Sequence, residues 1–358
     1  MKVRVCNADN GGCGFYRILE PARVLKEAGH DIDVDYQAER MDPLISMRGD
    51  VVTSVQPPDC DVVVFQRAMT RVAPDIISKI QAHGIAVVVE LDDDYWRIDQ
   101  RSKAFASFDP RKNPIANHAF LTESCRRADI VTVSTPALAR TVLPLNPRVR
   151  VLRNYVPASY LTLPVDQGDN WDLVEGRMVV GWTGSPDFHA NDLHVAGDSI
   201  PRAVRNANAT FIGLGAEDTA LVLGFAPDEA LYSPWVSLEH YPKAVKNFDV
   251  GLVPLRLCPF NEAKSYLKGL EYASLGVPFV ASPTAEYRTL AAWGIGEIAE
   301  QKHDWYKKVT RLLTDAEYRE NQAVQGRERA KDLTYEKHAW RWWRVWEEAV
   351  KVRRGTST

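Results

Sequence analysis

The stretch Pro259-Phe260-Asn261-Glu262-Ala263-Lys264-Ser265-Tyr266-Leu267-Lys268-Gly269-Leu270-Glu271-Tyr272-Ala273-Ser274-Leu275-Gly276-Val277-Pro278-Phe279-Val280-Ala281-Ser282 reads as a loop, a helix, a stop and a strand. Tyr266, Leu267, Leu270, Ala273 and Ser274 recur at helical spacing and give one mostly apolar face. Gly276 and Pro278 supply the C-terminal stop. Phe279 to Ala281 make a short strand. Lys264, Lys268 and Glu271 stand at i, i+4 and i+7, which predicts a second, polar side of the same helix.

A lysine in a first helical turn opposes the helix dipole unless an anion sits at that N-terminus among free backbone N–H groups. A phosphate group fits that description. Two turns on, Glu271 can accept hydrogen bonds from vicinal hydroxyls, as an acidic residue does with a ribose in dinucleotide folds. The plainer alternative is a solvated face on which Glu271 pairs with Lys268 and Glu262 compensates Lys264.

The run Asn261-Glu262-Ala263-Lys264-Ser265, then Lys268, Glu271-Tyr272-Ala273 and Gly276-Val277-Pro278, resembles the donor-binding segment of GT-B glycosyltransferases of the family 4-like (group 1) branch. The resemblance implies that Glu271 binds the nucleotide ribose and that the residues before it bind sugar and diphosphate. It also implies donor contacts from Gly184, Ser185, Lys264, Ser265 and Lys268. One departure stands out. The family often has glutamates at both ends of an E-x7-E spacing, whereas the position eight before Glu271 is Ala263, with Glu262 beside it.

Working outward, 358 residues exceed what one core usually supports and predict two domains. Forty-four Lys and Arg against 47 Asp and Glu give a formal charge of −3, so bulk electrostatics do not favour nucleic acid. Cys6, Cys13, Cys60, Cys125 and Cys258 are odd in number and scattered, with no C-x-x-C pair, which argues for a reducing compartment and against a disulfide framework or a zinc site. The N-terminus enters a strand without a signal peptide, and no apolar run approaches the length of a membrane span. The expectation is a cytoplasmic protein.

Val3 to Cys6 reads as a strand, followed by the loop Asn7 to Gly14 and a helix with Ile18, Leu19, Ala22 and Leu25 in period. Strand, glycine-rich loop and helix open a parallel α/β sheet and present backbone donors to a ligand. The glycines are not spaced G-x-G-x-x-G, so a nicotinamide cofactor has little support. Gly12, Gly14 and Arg17, with Leu25 to His30, resemble the first loop and helix of GT-B transferases, where the loop faces the interdomain cleft. Strands at Ile32 to Val34, Val62 to Gln66 and Ala86 to Leu91 follow, with a helix-like stretch from Pro74 to His83.

Asp92-Asp93-Asp94 comes directly after the strand ending at Leu91, at the edge where open α/β sheets place ligands. Adjacent carboxylates repel unless solvated, protonated or paired. Asp92 or Asp93 is a candidate acceptor-side group or base, with a metal ligand as a lesser reading; the alternative is a helix N-cap cluster. His118, within the helix-like Ala116 to Arg127, is a further candidate base, although a lone histidine there is more often structural. Strands at Ala128 to Thr135 and Arg148 to Leu152 complete the first half.

The polar, aperiodic segment 158–176 reads as a linker between an acceptor domain, 1–157, and a donor domain, 177–333. The second half restarts with Met178 to Trp182 as a strand and Thr183-Gly184-Ser185-Pro186 as a tight loop whose N–H groups can meet a diphosphate. His189 and Asp192, three apart, can pair there; a capping aspartate and a surface histidine would look the same. Strands are expected at Thr210 to Leu214, Trp235-Val236 and Val250 to Pro254. The C-terminal stretch, 334–358, carries Trp340, Trp342, Trp343 and Trp346 among basic residues. It can lie on an anionic membrane surface or, as the resemblance implies, cross back and pack on the first domain.

The expected fold is therefore two Rossmann-like, doubly wound parallel-sheet domains facing a cleft. The resemblance implies a glycosyltransferase that takes a nucleotide-diphosphate sugar as substrate, retains anomeric configuration and needs no metal or other cofactor. Lys264 and backbone groups would neutralise the leaving diphosphate. If the enzyme inverts instead, Asp92, Asp93 or His118 would be the base. A nucleotide-sugar epimerase of the same fold and an inert nucleotide-sugar-binding protein remain alternatives. The acceptor stays open among small molecules, proteins, glycans, lipids and modified nucleic-acid bases.

Overall fold

The computed structural model describes residues 1–35, 45–49, 51–163, 176–189, 191–226 and 229–355. Of the expected linker, residues 164–175 lie outside the described residues. The chain divides into two compact units: Met1–Asn154 with Ala263–Ser265 and Tyr335–Thr358, and Tyr155–Glu262 with Tyr266–Thr334.

In the first unit, β1 (Lys2–Cys6) and β2 (Asp31–Asp35) precede an antiparallel hairpin of β3 (Ile45–Arg48) and β4 (Val51–Val55). Then come β5 (Val62–Gln66), β6 (Ala86–Leu91), β7 (Ile130–Val133) and β8 (Val149–Val151). Leaving the hairpin aside, these strands form one parallel sheet in the order β2-β1-β5-β6-β7-β8. All residues of β5 and β6 are buried, the signature of strands covered on both faces. Val63, Val87, Val89, Ile77, Ile80 and Leu121 join in one core between the sheet and its helices. Each such side chain contributes roughly 1.5–3 kcal/mol by leaving water.

The strand order reverses at β1, so the switch point of the sheet lies between β1 and β5, where Cys6 and Phe65 are in register. Open α/β sheets bind ligands outside the carboxyl ends of strands at such a point. Asn7 to Gly14 and Arg67 leave the sheet there.

The last helix, Trp340–Arg354, belongs to this unit. Trp342 and Trp346 are buried, the Trp342 indole donates to the Arg17 carbonyl at 3.3 Å, and Trp343 stacks on His30 with centroids 3.9 Å apart. Trp340 alone of the four is exposed, so the basic, aromatic stretch spends its rings inside its own unit. Among the described residues no helix is long and apolar enough to cross a membrane.

The second unit repeats the plan with β9 (Val179–Gly184), β10 (Thr210–Gly215), β11 (Ala230–Pro234), β12 (Val250–Val253), β13 (Phe279–Ala281) and β14 (Glu297–Ile298). Their order, β11-β10-β9-β12-β13-β14, is all parallel and turns back at β9. The switch point is therefore between β9 and β12. The third strand differs from the expectation: Ala230–Pro234 pairs with β10, whereas Trp235 and Val236 lie past its end, Trp235 exposed. The sequence offers the aromatic and β-branched pair as the better strand former, but register with β10 selects the five residues before it.

Candidate functional site

At the edge of the first sheet, the loop after β1 closes on itself. Asp9 Oδ1 accepts from Gly11 N at 2.7 Å and from Gly14 N at 3.2 Å. The backbone donors expected to face a ligand are thus partly taken by the loop's own carboxylate. Gly14 is required sterically, since a Cβ there would sit 1.8 Å from the Asp9 carbonyl oxygen. Helix geometry begins already at Gly12, inside the expected loop.

Arg17 departs most from the expectation. It is 1% exposed, its guanidinium paired with Glu90 at 2.6 Å and donating to Asn154 Oδ1 at 2.7 Å and the Leu152 carbonyl at 2.6 Å. The arginine expected to line a cleft is instead the charged pin of the first core. Burial pushes the Glu90 carboxyl up to about 7, with Arg17 and a hydrogen bond from Thr132 opposing it.

The three aspartates after β6 start no helix, so the capping alternative is not realised. Tyr95 Oη donates to Asp92 Oδ1 at 2.5 Å. Burial pushes the Asp92 carboxyl up, but Arg67 and hydrogen bonds from Cys13 and Tyr95 outweigh it and hold it below its usual value. Asp94 turns inward to Thr141 at 3.0 Å and Arg97 at 3.3 Å, and burial raises its carboxyl. Asp93 faces Lys264 Nζ at 3.2 Å.

Arg67 was missed by sequence reasoning. It ion-pairs with Asp9 and adopts φ of 52°, a conformation that among the described non-glycine residues is otherwise taken only by Asn191 and Asn208. Backbone strain of this kind at a residue with a long side chain persists where the surroundings over-determine it, which is common at functional sites. Its signal was positional: the first residue after an apolar strand, next to the switch point.

The helix quoted first begins at Leu267, with Tyr266 at its N-cap and a separate short helix at Pro259–Glu262 before it. Lys264 lies in the break, so Lys264, Lys268 and Glu271 do not share one helical face. The anion that Lys264 meets is Asp93. Ala263 to Ser265 pack with the first unit: Thr135 Oγ1 donates to the Ala263 carbonyl at 2.8 Å, and Asn154 Nδ2 donates to Ser265 Oγ at 2.7 Å. Ala263 is buried in the first core, and Glu262 Oε2 accepts from Ala285 N at 3.2 Å at the start of the next helix.

Lys268 and Glu271 serve the second sheet. Lys268 Nζ donates to the Thr183 carbonyl and stands 5.0 Å from the Trp182 ring centroid, a cation–π contact at the carboxyl end of β9. Glu271 is 5% exposed and accepts from Tyr241 Oη at 3.1 Å, while Tyr241 Oη also meets Thr183 Oγ1 at 3.1 Å. Tyr241 was missed as well; thirty residues from Glu271, no local spacing announces it. Gly184 ends β9 with φ of 144°, and a Cβ there would lie 2.7 Å from the Trp182 ring. Ser185 follows, buried, its carbonyl accepting from Phe188 N at 3.1 Å.

His189 Nδ1 and Asp192 Oδ2 are 3.1 Å apart, and Asp192 Oδ1 accepts from Arg256 N at 3.0 Å and Asn261 Nδ2 at 2.7 Å. Asp192 thus joins the loop after β9 to the segment before the quoted helix and caps nothing. His118 opens the helix His118–Arg127, capped by Asn117 Oδ1 on Ala119 N at 2.8 Å, and lines a small aromatic pocket beside Tyr95. Among the described residues no group of three or more His, Cys, Asp or Glu is arranged to hold a metal ion.

No family model matches the sequence, and no curated protein matches it. Solved structures do match. Sucrose-phosphate synthase from Thermosynechococcus elongatus superposes with a TM-score of 0.65 at 13% identity, over 97% of this chain and 99% of that one. Anabaena HepE in complex with UDP gives 0.64 at 12% identity, over 97% and 100%. WaaG, a glycosyltransferase involved in lipopolysaccharide biosynthesis, gives 0.62 at 14% identity, over 99% and 100%. Two six-stranded parallel sheets, each with its own switch point and flanking helices, together with these likenesses, show that the chain has the GT-B fold of glycosyltransferases.

Proposed function

We propose that this protein transfers a sugar from a nucleotide-diphosphate donor to an acceptor hydroxyl, with retention and without a divalent metal. The observation that carries the reading is the arrangement at the carboxyl end of β9, where Lys268, Glu271 and Tyr241 converge on Thr183 and its neighbours. A buried carboxylate beside a glycine turn is an acceptor for the vicinal hydroxyls of a ribose. A lysine beside backbone amides of a glycine turn suits a diphosphate, and stabilises the charge that grows on it as the glycosidic bond breaks. The UDP in the HepE structure is support for a nucleotide ligand in a protein of this fold.

In this reading Glu271 fixes the ribose and thereby the anomeric carbon. Asp92, ionised and gripped by Tyr95, Cys13 and Arg67, is an acceptor-side group of the first unit. Lys264 balances the charge of Asp93 next to it.

The test is thermal stabilisation of wild type and Glu271→Ala by a panel of nucleoside diphosphates and nucleotide sugars, without added metal. A nucleotide at a hundred times its dissociation constant should stabilise wild type by roughly 2.7 kcal/mol, and Glu271→Ala should lose that gain. Equal stabilisation of both proteins would remove Glu271 from the donor site. With the donor identified, the anomeric proton of the product read by NMR checks retention, and turnover after chelation checks metal independence. A sugar isomerised without transfer would favour an epimerase, and binding without turnover an inert binding protein.

A further inference from the structure

Beside Asp92, wholly within the first unit, is a pocket of about 250 Å³ that the donor reading does not use. The rings of Tyr95, Trp96, Phe105 and Phe108 line it in combination with polar groups, among them Gln100, His118 and the charged pair Asp109 and Arg111. The rings are fixed by contacts of their own. Tyr95 and Phe108 pack with centroids 4.8 Å apart, and the Trp96 indole donates to Thr122 Oγ1 at 2.8 Å. Tyr95 is shared with the sheet edge through its 2.5 Å hydrogen bond to Asp92.

The carboxylate and the arginine of its wall pair with each other. Asp109 on the pocket wall accepts from Arg111 Nε at 3.0 Å and Nη2 at 2.8 Å, and Arg111 holds its carboxyl down to about 2. At the neighbouring edge Arg67 pairs with Asp9 and Lys264 with Asp93. The Asp109 carboxylate on the wall repels a phosphate or carboxylate on a ligand, which would also compete with it for Arg111; an uncharged ligand meets neither obstacle.

Resting on the glycosyl-transfer reading, we infer that this pocket binds one uncharged sugar ring of the acceptor and that the acceptor is a neutral glycoside, not a sugar phosphate. A sugar ring has an apolar C–H face that lies against aromatic rings and an edge of hydroxyls that need a few polar partners. Aromatic walls with convergent polar groups supply both. The volume is below the roughly 300–1,000 Å³ of sites for drug-sized ligands, which suits a single ring. Tyr95 then ties the occupied pocket to the carboxylate of Asp92.

The experiment is ligand-detected saturation-transfer NMR with the methyl glycosides of glucose, galactose, mannose and rhamnose, and with glucose 6-phosphate, on the full chain. At least one methyl glycoside should bind more tightly than glucose 6-phosphate. Phe108→Ala should weaken it roughly three- to tenfold, the loss of one aromatic contact. Because Phe108 also packs on Tyr95, Gln100→Ala, at an exposed position, is the second variant and should weaken binding by a smaller factor with an unchanged melting temperature. Tighter binding of glucose 6-phosphate, no binding of any glycoside, or unchanged binding in both variants overturns the inference. Nucleotide stabilisation is read on the same samples: glycoside binding without any nucleotide response sinks the transfer reading alone, and nucleotide response without glycoside binding sinks this inference alone.

Discussion

The two sheets share a topology, yet their ligand-side edges are held by opposite means. At the first, side-chain charges hold one another: Asp9 with Arg67, Asp93 with Lys264 and, in the core beneath, Glu90 with Arg17. At the second, a glycine turn, a tryptophan face and neutral hydroxyls surround Glu271, and backbone and amide donors hold Asp192. Paired charges in a partly dry setting are sensitive to pH and to loss of either partner. Close-packed backbone and rings are sensitive to volume. The first edge should therefore respond to proton concentration, and both edges to a single methyl group, at Gly14 as at Gly184.

The largest expected effect tests the first half of that contrast. Arg17→Met leaves Glu90 buried and uncompensated and should destabilise the protein by about 3–5 kcal/mol in a urea titration. Arg17→Met combined with Glu90→Leu should recover much of that loss; a single variant within 1 kcal/mol of wild type, on the order of a surface change, would break the comparison.

Next comes pH. The Glu90 carboxyl is raised from 4.5 in the unfolded chain to about 7 in the fold. Below the lower value both states hold the proton. Between the two, the unfolded state releases it first, so stability falls as pH rises, by about 3 kcal/mol at most at 1.36 kcal/mol per pKa unit. Asp92, held below its usual value, acts oppositely, and its contribution is lost only as pH drops into the acid range. Urea midpoints at pH 5 and pH 7.5 check this; Glu90→Gln should flatten the difference.

Gly184→Ala probes the second edge. Its Cβ would meet the Trp182 ring at 2.7 Å from a backbone with φ of 144°, so a loss of about 1–3 kcal/mol is expected, the same at both pH values. A pH-dependent loss would blur the distinction between the edges.

The smallest effect separates a pair kept for stability from one kept for chemistry. Lys264 and Asp93 are 22% and 28% exposed, so Lys264→Met should change stability by about 1 kcal/mol or less. Transfer activity should fall far more than that change accounts for. Activity falling only in step with stability would make the pair structural.

The inner strands of both sheets were legible because a strand buried on both faces must be a run of apolar residues, as in Val62 to Gln66 and Ala86 to Leu91, whereas the two-residue edge strand Glu297–Ile298 was not. The positions of Asp92 and Gly184 at the carboxyl ends of β6 and β9 were legible for a related reason: the chain leaves the sheet where the apolar run stops. Trp235 misled because local propensity cannot see register with β10. Arg17 misled because its partner Glu90 is 73 residues away, and a charge beside a glycine loop looks the same paired or free. Lys264 misled because the spacing i, i+4, i+7 assumes one helix, and the packing of Ala263 in the first core interrupts it.

By itself the sequence determined what periodicity and punctuation carry: two parallel α/β halves, their order along the chain, and the residues at each strand's end. The tertiary structure decided which charges are spent on one another. Pairing depends on distances between segments far apart in the chain, and the free energy of a buried charge depends on the partner found there. That is why Arg17 went to the core, why Lys264 went to Asp93, and why Glu271 met Tyr241.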